Sequence, residues 1–196
     1  MRITLFDYGA GNLHSLAKAL QGGNRVVHLE TDPEKAIDTD VLVLPGVGAF
    51  GSASQALAPG REAMRSALAG GLPCLGICLG MQLLFDDSDE GAGAGLGAIA
   101  GRVERIRGER VPQIGWNTID DASDTLFEAS GLGIAYYANS FICRPADPAV
   151  VIGWSTHETD RFAAAVRVSA TVGVQFHPEK SSAPGLRFIE EFLRQC

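Results

Sequence analysis

Long apolar runs are missing from this sequence: no stretch of its 196 residues approaches the roughly 20 apolar residues that span a membrane. The opening Met1-Arg2-Ile3-Thr4-Leu5-Phe6-Asp7 reaches an acidic side chain too soon for a secretory h-region, so a cytoplasmic protein is expected. Cysteine is sparse. Cys74, Cys78, Cys143 and Cys196 suit a reducing compartment better than a disulfide scaffold. Cys74 and Cys78 also lack the second nearby Cys/His pair that a zinc site needs, and no metal or other cofactor is expected. Excess positive charge is absent too. With a net charge of −7 and a pI of about 5.0 there is no basic face to neutralise phosphates, which excludes a general nucleic-acid role and leaves a solvated acidic surface. No Pro/Ser-rich linker, charge block or internal repeat divides the chain. Its 46% hydrophobic residues supply one substantial core, so residues 1–196 read as a single domain.

What is present has the rhythm of an α/β protein. Ile3-Thr4-Leu5-Phe6 reads as a strand and Tyr8-Gly9-Ala10-Gly11-Asn12 as a turn. Leu13, Leu16, Ala17 and Leu20 then form the stripe of a helix that stops before Gly22-Gly23. Val26–Leu29 and Val41–Leu44 read as further strands, the second continuously apolar and so covered on both faces. A helix around Glu62–Ala69 precedes a fourth strand, Pro73–Ile77, and a helix from Leu79 to Phe85 lies directly behind it. Such βα units imply a mostly parallel central sheet flanked by helices on both faces. Beyond Phe85 the pattern changes. The run from Gly91 to Gly97 reads as an ordered surface loop, followed by short strands at Arg102–Ile106, Ile134–Tyr137, Val150–Trp154, Phe162–Val168 and Thr171–Phe176. Their spacing suits antiparallel strands added to the core in the C-terminal half, and Phe188, Ile189, Phe192 and Leu193 mark a closing helix.

Chemistry concentrates at two places. In Gly76-Ile77-Cys78-Leu79-Gly80 the cysteine sits where a buried strand meets a helix, and glycines on either side are what a strained strand-to-helix elbow requires, because side chains would collide across the turn. The elbow aims the sulfur at substrate and sets it over the N-terminus of the next helix, whose dipole favours thiolate. Cys78 is the candidate nucleophile; the competing reading is a buried structural thiol. A thiolate needs a base, and His177 ends the strand Val172–Phe176, held extended by Pro178. Glu179 could orient its imidazole, although a surface His beside a surface Glu would look the same. His14 is expected on the first helix, His28 at a strand end and His157 in a loop, with no chemistry assigned to them. Cys74, Cys143 and Cys196 read as core or tail residues.

With Gly76–Gln82 and Gln175-Phe176-His177-Pro178-Glu179-Lys180-Ser181 both in view, the chain resembles the class I glutamine amidotransferases along essentially its whole length. Asp7–Asn12, Pro45-Gly46-Val47-Gly48-Ala49-Phe50 and Gln113-Ile114-Gly115-Trp116-Asn117 resemble, within that family, the glutaminase subunits of imidazole glycerol phosphate synthases. The resemblance implies that L-glutamine is hydrolysed through a Cys78 glutamyl thioester with His177 and Glu179 completing a triad. It implies an oxyanion hole from the backbone N–H groups of Leu79 and Val47, the latter made able to reorient by Gly46 and Gly48; those glycines would equally suit an ordinary tight turn. Substrate contacts are implied for Gln82 and Glu90 and for the backbone of Ser140 and Phe141. Taken singly, Gln82 could be a helix-surface amide and Glu90 part of the solvated run Asp86–Glu90.

The implied partner is a (βα)8-barrel cyclase that uses the ammonia to make imidazole glycerol phosphate and an aminoimidazole carboxamide ribotide in histidine biosynthesis. Asn12, Trp116 and Lys180 would face it in a heterodimer. Trp116 fits a core aromatic as well. Where the family usually has His, this chain has Gln113 and Asn139, which keep hydrogen-bonding capacity but remove titratable groups. Two other readings stay open: the glutaminase of another ammonia-using synthase, making pyridoxal phosphate, guanylate or anthranilate, and a catalytically silent docking subunit. The Gly-Ala-Gly-Asn turn and the Gly-Trp-Asn segment argue against the first, and the intact Cys78, His177 and Glu179 against the second.

Overall fold

The computed structural model describes every residue except Ala10 and Asn12. From the N-terminus come β1 (Arg2–Phe6), α1 (His14–Leu20), β2 (Val26–Glu30), the one-turn α2 (Pro33–Ala36) and β3 (Val41–Leu44). Then follow α3 (Phe50–Leu57), α4 (Arg61–Ala69), β4 (Cys74–Ile77), the one-turn α5 (Leu79–Gln82) and the two-residue β5 (Asp87–Ser88). The C-terminal half contributes β6 (Gly101–Arg105), β7 (Gln113–Thr118), α6 (Thr125–Ser130), β8 (Ile134–Asn139), β9 (Phe141–Pro145), β10 (Val151–His157), β11 (Asp160–Val168), β12 (Thr171–Val174) and α7 (Ser182–Gln195).

Seven strands form the central sheet in the order β10-β11-β12-β4-β3-β1-β2. The five from β12 to β2 run parallel, and β10 and β11 add an antiparallel edge, as the spacing of the C-terminal strands implied. All four residues of β3 are fully buried because helices cover both faces, and its side chains divide by the two-residue period. Val41 and Val43 join one core layer with Leu13 at the start of α1, Leu16 and Leu20 within it, and Phe188, Ile189, Phe192 and Leu193 of α7. Leu42 and Leu44 join the other, with Phe50 and Leu57 of α3 and Met64 and Leu68 of α4.

Several expectations are corrected. The helix after Cys78 stops at Gln82 rather than Phe85, because the glycine loop takes its next carbonyls: Leu96 N–H donates to Leu83 O at 2.6 Å, Ile99 N–H to Leu84 O at 3.0 Å and Gly97 N–H to Phe85 O at 3.1 Å. A Cβ on Gly95 would stand 2.0 Å from Phe85 O, so the glycine permits this close approach. The loop is stitched down, as expected. His28 lies within edge strand β2 and His157 ends β10 rather than sitting in a loop. Sequence patterning missed α2, α3, α6, β5, β7 and β9. β7 and β8 form a separate two-stranded ribbon, and β9 follows β8 after Ser140 yet pairs with β6 in another sheet.

Candidate active site

Register brings the site together. Leu44 of β3 pairs with Gly76 of β4, and Ile77 of β4 pairs with Val174 of β12, so three adjacent parallel strands end side by side. Pro45-Gly46-Val47, Cys78 and Gln175-Phe176-His177 therefore leave the sheet at the same edge, outside the carboxyl ends, where doubly wound sheets place their ligands. Cys78 N–H donates to Val174 O at 2.7 Å, which ties the elbow to the strand that carries His177.

The elbow is strained as its sequence implied. Cys78 holds φ 47° and ψ −103°, a left-handed conformation that a side chain rarely adopts. The flanking glycines are required for two different reasons. A Cβ on Gly76 would lie 2.7 Å from Gly80 O, across the turn, whereas one on Gly80 would lie 1.9 Å from Leu44 O on the neighbouring strand. Only the first is the expected collision. Because α5 is a single turn, whatever helps an anionic sulfur here is discrete donors rather than a long helix dipole.

His177 stands beside the sulfur. A Cβ built on Gly46 would be 2.9 Å from His177 Cε1 and 3.0 Å from Cys78 Cβ, so both side chains flank one glycine. Nδ1 lies 2.8 Å from Glu179 Oε1; a carboxylate can only accept, so Nδ1 carries the proton and Nε2 is left for chemistry. The His177 side chain is 5% exposed and that of Glu179 7%, which rules out a surface pair. Burial pulls the imidazole's pKa down, but hydrogen bonds and charge from Cys78 and Glu179 overcome it and raise the value to about 9. The backbone is clamped: His177 N–H donates to Tyr136 O at 2.8 Å and Ser181 Oγ–H to His177 O at 2.7 Å. Burial pushes the thiols of Cys74 and Cys143 well above the usual range and that of Cys196 up to about 11, which distinguishes them from a nucleophile.

Around this centre, Gly48 has φ 104°, the conformation that favours glycine, next to Val47, and Leu79 opens α5 with its N–H adjacent to Cys78. Gln82 is no surface amide: it is buried, and its Nε2 donates to Phe141 O at 3.1 Å beside Ser140, whose carbonyl accepts from Ile106 N–H. Glu90 is not merely part of a solvated run, since Oε2 accepts from Phe50 N–H at 3.0 Å and so caps α3, whose own N-cap, Ala49, has no side-chain acceptor. Gln175 was not singled out from the sequence, yet its Nε2 lies 3.4 Å from Cys78 Sγ. Its signal was the two-residue period, which puts residues 175 and 177 on one side of an extended segment.

The implied interface residues separate. Trp116 is not a core aromatic: it is 55% exposed on the β7–β8 ribbon, edge-on to Tyr136 at 6.1 Å, with Ile114 and Ile134 exposed beside it. Lys180 is exposed and lines a 220 Å³ cavity with Leu13, Ser15, Val47 and Glu179. Asn12 lies outside the described residues. Gln113 and Asn139 are register partners on the ribbon's buried face, and among the described residues Nε2 and Oε1 of Gln113 and Oδ1 of Asn139 find no partner. Among the described residues, no group of three or more metal-ligating side chains forms, and no helix is long and apolar enough to cross a membrane.

Comparison with known proteins agrees with this geometry. The profile of the glutamine amidotransferase class-I family matches residues 4–196. Subunit HisH of imidazole glycerol phosphate synthase from Synechocystis is 42% identical, with 98% of this chain and 96% of that protein aligned. The Pyrococcus furiosus subunit is 40% identical over 98% of each chain, and that of Corynebacterium glutamicum 38% over 97% of each. A crystal structure of a glutamine amidotransferase superposes with a TM-score of 0.74 at 18% identity over 97% of each chain. PurLQS from Thermotoga maritima gives 0.68 at 20% identity over 99% of this chain and 98% of that one. A mostly parallel sheet ending in a cysteine elbow, a full-length family match and relatives near 40% identity together mean that the chain belongs to the class I glutamine amidotransferases.

Proposed function

We propose that the chain, as one domain spanning residues 1–196, is the glutaminase subunit of an imidazole glycerol phosphate synthase and works in the cytoplasm. The observation that carries this reading is the Cys78 elbow set against the buried His177–Glu179 pair. Cys78 Sγ attacks the side-chain carbonyl of L-glutamine, and the N–H groups of Val47 and Leu79 receive the developing oxyanion. Protonated His177 gives its Nε2 proton to the departing ammonia, then takes one from the water that cleaves the glutamyl thioester and releases glutamate. Glu179 fixes the tautomer and supports the charged ring. Gln82, Glu90, Gly46, Gly48 and the backbone of Ser140 and Phe141 border the substrate.

Ammonia passes to a (βα)8-barrel cyclase in a heterodimer, because free ammonia protonates in neutral water and loses its lone pair. The exposed apolar face of the β7–β8 ribbon, with Trp116 at its centre and Lys180 and Asn12 as further contacts, suits that docking. Glutamate release from glutamine, measured with the chain alone, with the cyclase, and with the cyclase plus its ribonucleotide ligand, tests the reading. Weak activity alone and strong stimulation by ligand are expected. Stimulation only by a different synthase would replace the partner, and no turnover under any condition would mean a silent docking subunit.

A further inference from the structure

We infer that Gln175 is a catalytic residue: its side-chain amide donates a hydrogen bond to the Cys78 sulfur and favours the thiolate that attacks glutamine. This rests on Cys78 being the nucleophile and adds a fourth side chain to the three of the triad. Gln175 is fully buried, two residues before His177, with Nε2 3.4 Å from Cys78 Sγ. Which end of the amide faces the sulfur is decided by its other contacts. Phe141 C=O is a backbone acceptor, and Gln82 Nε2 donates to it at 3.1 Å. The same Gln82 Nε2 lies 3.4 Å from Gln175 Oε1. Turning Gln175 over would set two NH2 groups against each other, so its carbonyl faces Gln82 and its NH2 faces the sulfur. Asn139 Nδ2 donates to the same Phe141 carbonyl at 3.1 Å, which further fixes that acceptor.

A sulfur buried at the end of a single-turn helix needs such a donor. Cys78 is only 7% exposed, so partners for its sulfur come from protein groups more than from water. His177 supplies a counter-charge, while the Gln175 amide supplies a neutral donor that does not depend on the protonation state of His177. A hydrogen bond to the charged form stabilises it selectively, whereas a thiol is a weak acceptor. Gln82, a substrate contact in the proposed mechanism, holds Gln175 in this orientation, so substrate recognition and the nucleophile share one amide chain.

The test is the rate of iodoacetamide alkylation at each cysteine of the full chain, resolved by mass spectrometry, in wild type, Gln175→Met and Gln82→Met at pH 7 and pH 10. Met keeps the length of the side chain and removes the donor. In Gln175→Met, Cys78 should react about tenfold more slowly at pH 7 and at nearly the wild-type rate at pH 10. Glutamine turnover with the cyclase should lose about tenfold in kcat with little change in KM. Gln82→Met, which leaves Gln175 unanchored, should show the same pH pattern at smaller size, and it carries the test if Gln175→Met does not fold. A wild-type rate at pH 7 in the folded variants, or an equal loss at both pH values, would overturn the role of Gln175. If wild-type Cys78 reacts no faster than Cys74, Cys143 and Cys196, the nucleophile reading itself fails and this inference falls with it.

Discussion

His177 is subject to two opposed forces, and the balance between them is measurable. Desolvation favours the neutral ring, while Cys78 and Glu179 favour the charged one and win, so the imidazole keeps its proton to about pH 9. Relative to an ordinary value of 6.5, the raised folded-state pKa stabilises the fold fully below about pH 6.5, and that contribution is lost as pH rises through about 9. Glu179→Gln removes a carboxylate 2.8 Å from Nδ1 and leaves desolvation less opposed. The alkaline limb of the kcat/KM profile for glutamine should then move to lower pH, and the dependence of thermal stability on pH above 6.5 should flatten. An unchanged alkaline limb would mean that Glu179 does not act on the ring. Gly46 admits an equally local test. Because an added Cβ would meet His177 Cε1 and Ile77 O at 2.9 Å and Cys78 Cβ at 3.0 Å, Gly46→Ala should lower glutamine turnover by about a hundredfold. Kinetics beside circular dichroism would separate this from unfolding.

The elbow joins β4 to α5, and its tolerance is set by the strand next door. A Cβ on Gly80 has no room 1.9 Å from the Leu44 carbonyl, so Gly80→Ala must push α5 off β3 and should destabilise by about 3 kcal/mol, lowering the melting temperature by roughly 6–12 °C. Calorimetry checks this. The β7–β8 ribbon behaves oppositely, because Ile114, Trp116 and Ile134 on its outer face are exposed. Trp116→Ala should leave the melting temperature within a few degrees of wild type while weakening cyclase binding by about 10–100-fold, as titration calorimetry would report. Elements such as β3 were legible because a continuous apolar run between turn signals admits few other readings. β7 was not, since its alternation is inverted, with Gln113 buried while Ile114 and Trp116 are exposed, and β9 was hidden because a single residue, Ser140, separates two strands that serve different sheets. α3 carries Gly51, Ser52 and Ser54 and has a weak intrinsic preference; its N-cap comes from Glu90, distant in sequence.

Over the whole molecule, parallel strand order turns distant residues into one site. Cys78 and His177 are 99 positions apart in the chain, yet β4 and β12 are neighbours in register, so the residues that follow them emerge together. The sequence singled out Cys78, His177 and Glu179 because each lies in a short motif with its own geometric logic. It could not reveal Gln175, whose role depends on Gln82, Phe141 and Cys78 meeting only after folding. The same topology sets the apolar ribbon near the strand ends: Tyr136 O of β8 accepts from His177 N–H, and the Tyr136 ring stacks edge-on against exposed Trp116. The central claim is that Cys78 does nothing except release ammonia from glutamine for a partner to use. Formation of imidazole glycerol phosphate by the complex with the cyclase, supplied with glutamine or with ammonium salts, tests it directly. Cys78→Ala should abolish synthesis from glutamine and leave synthesis from ammonium unchanged, whereas persistence of the glutamine reaction in that variant would contradict the account.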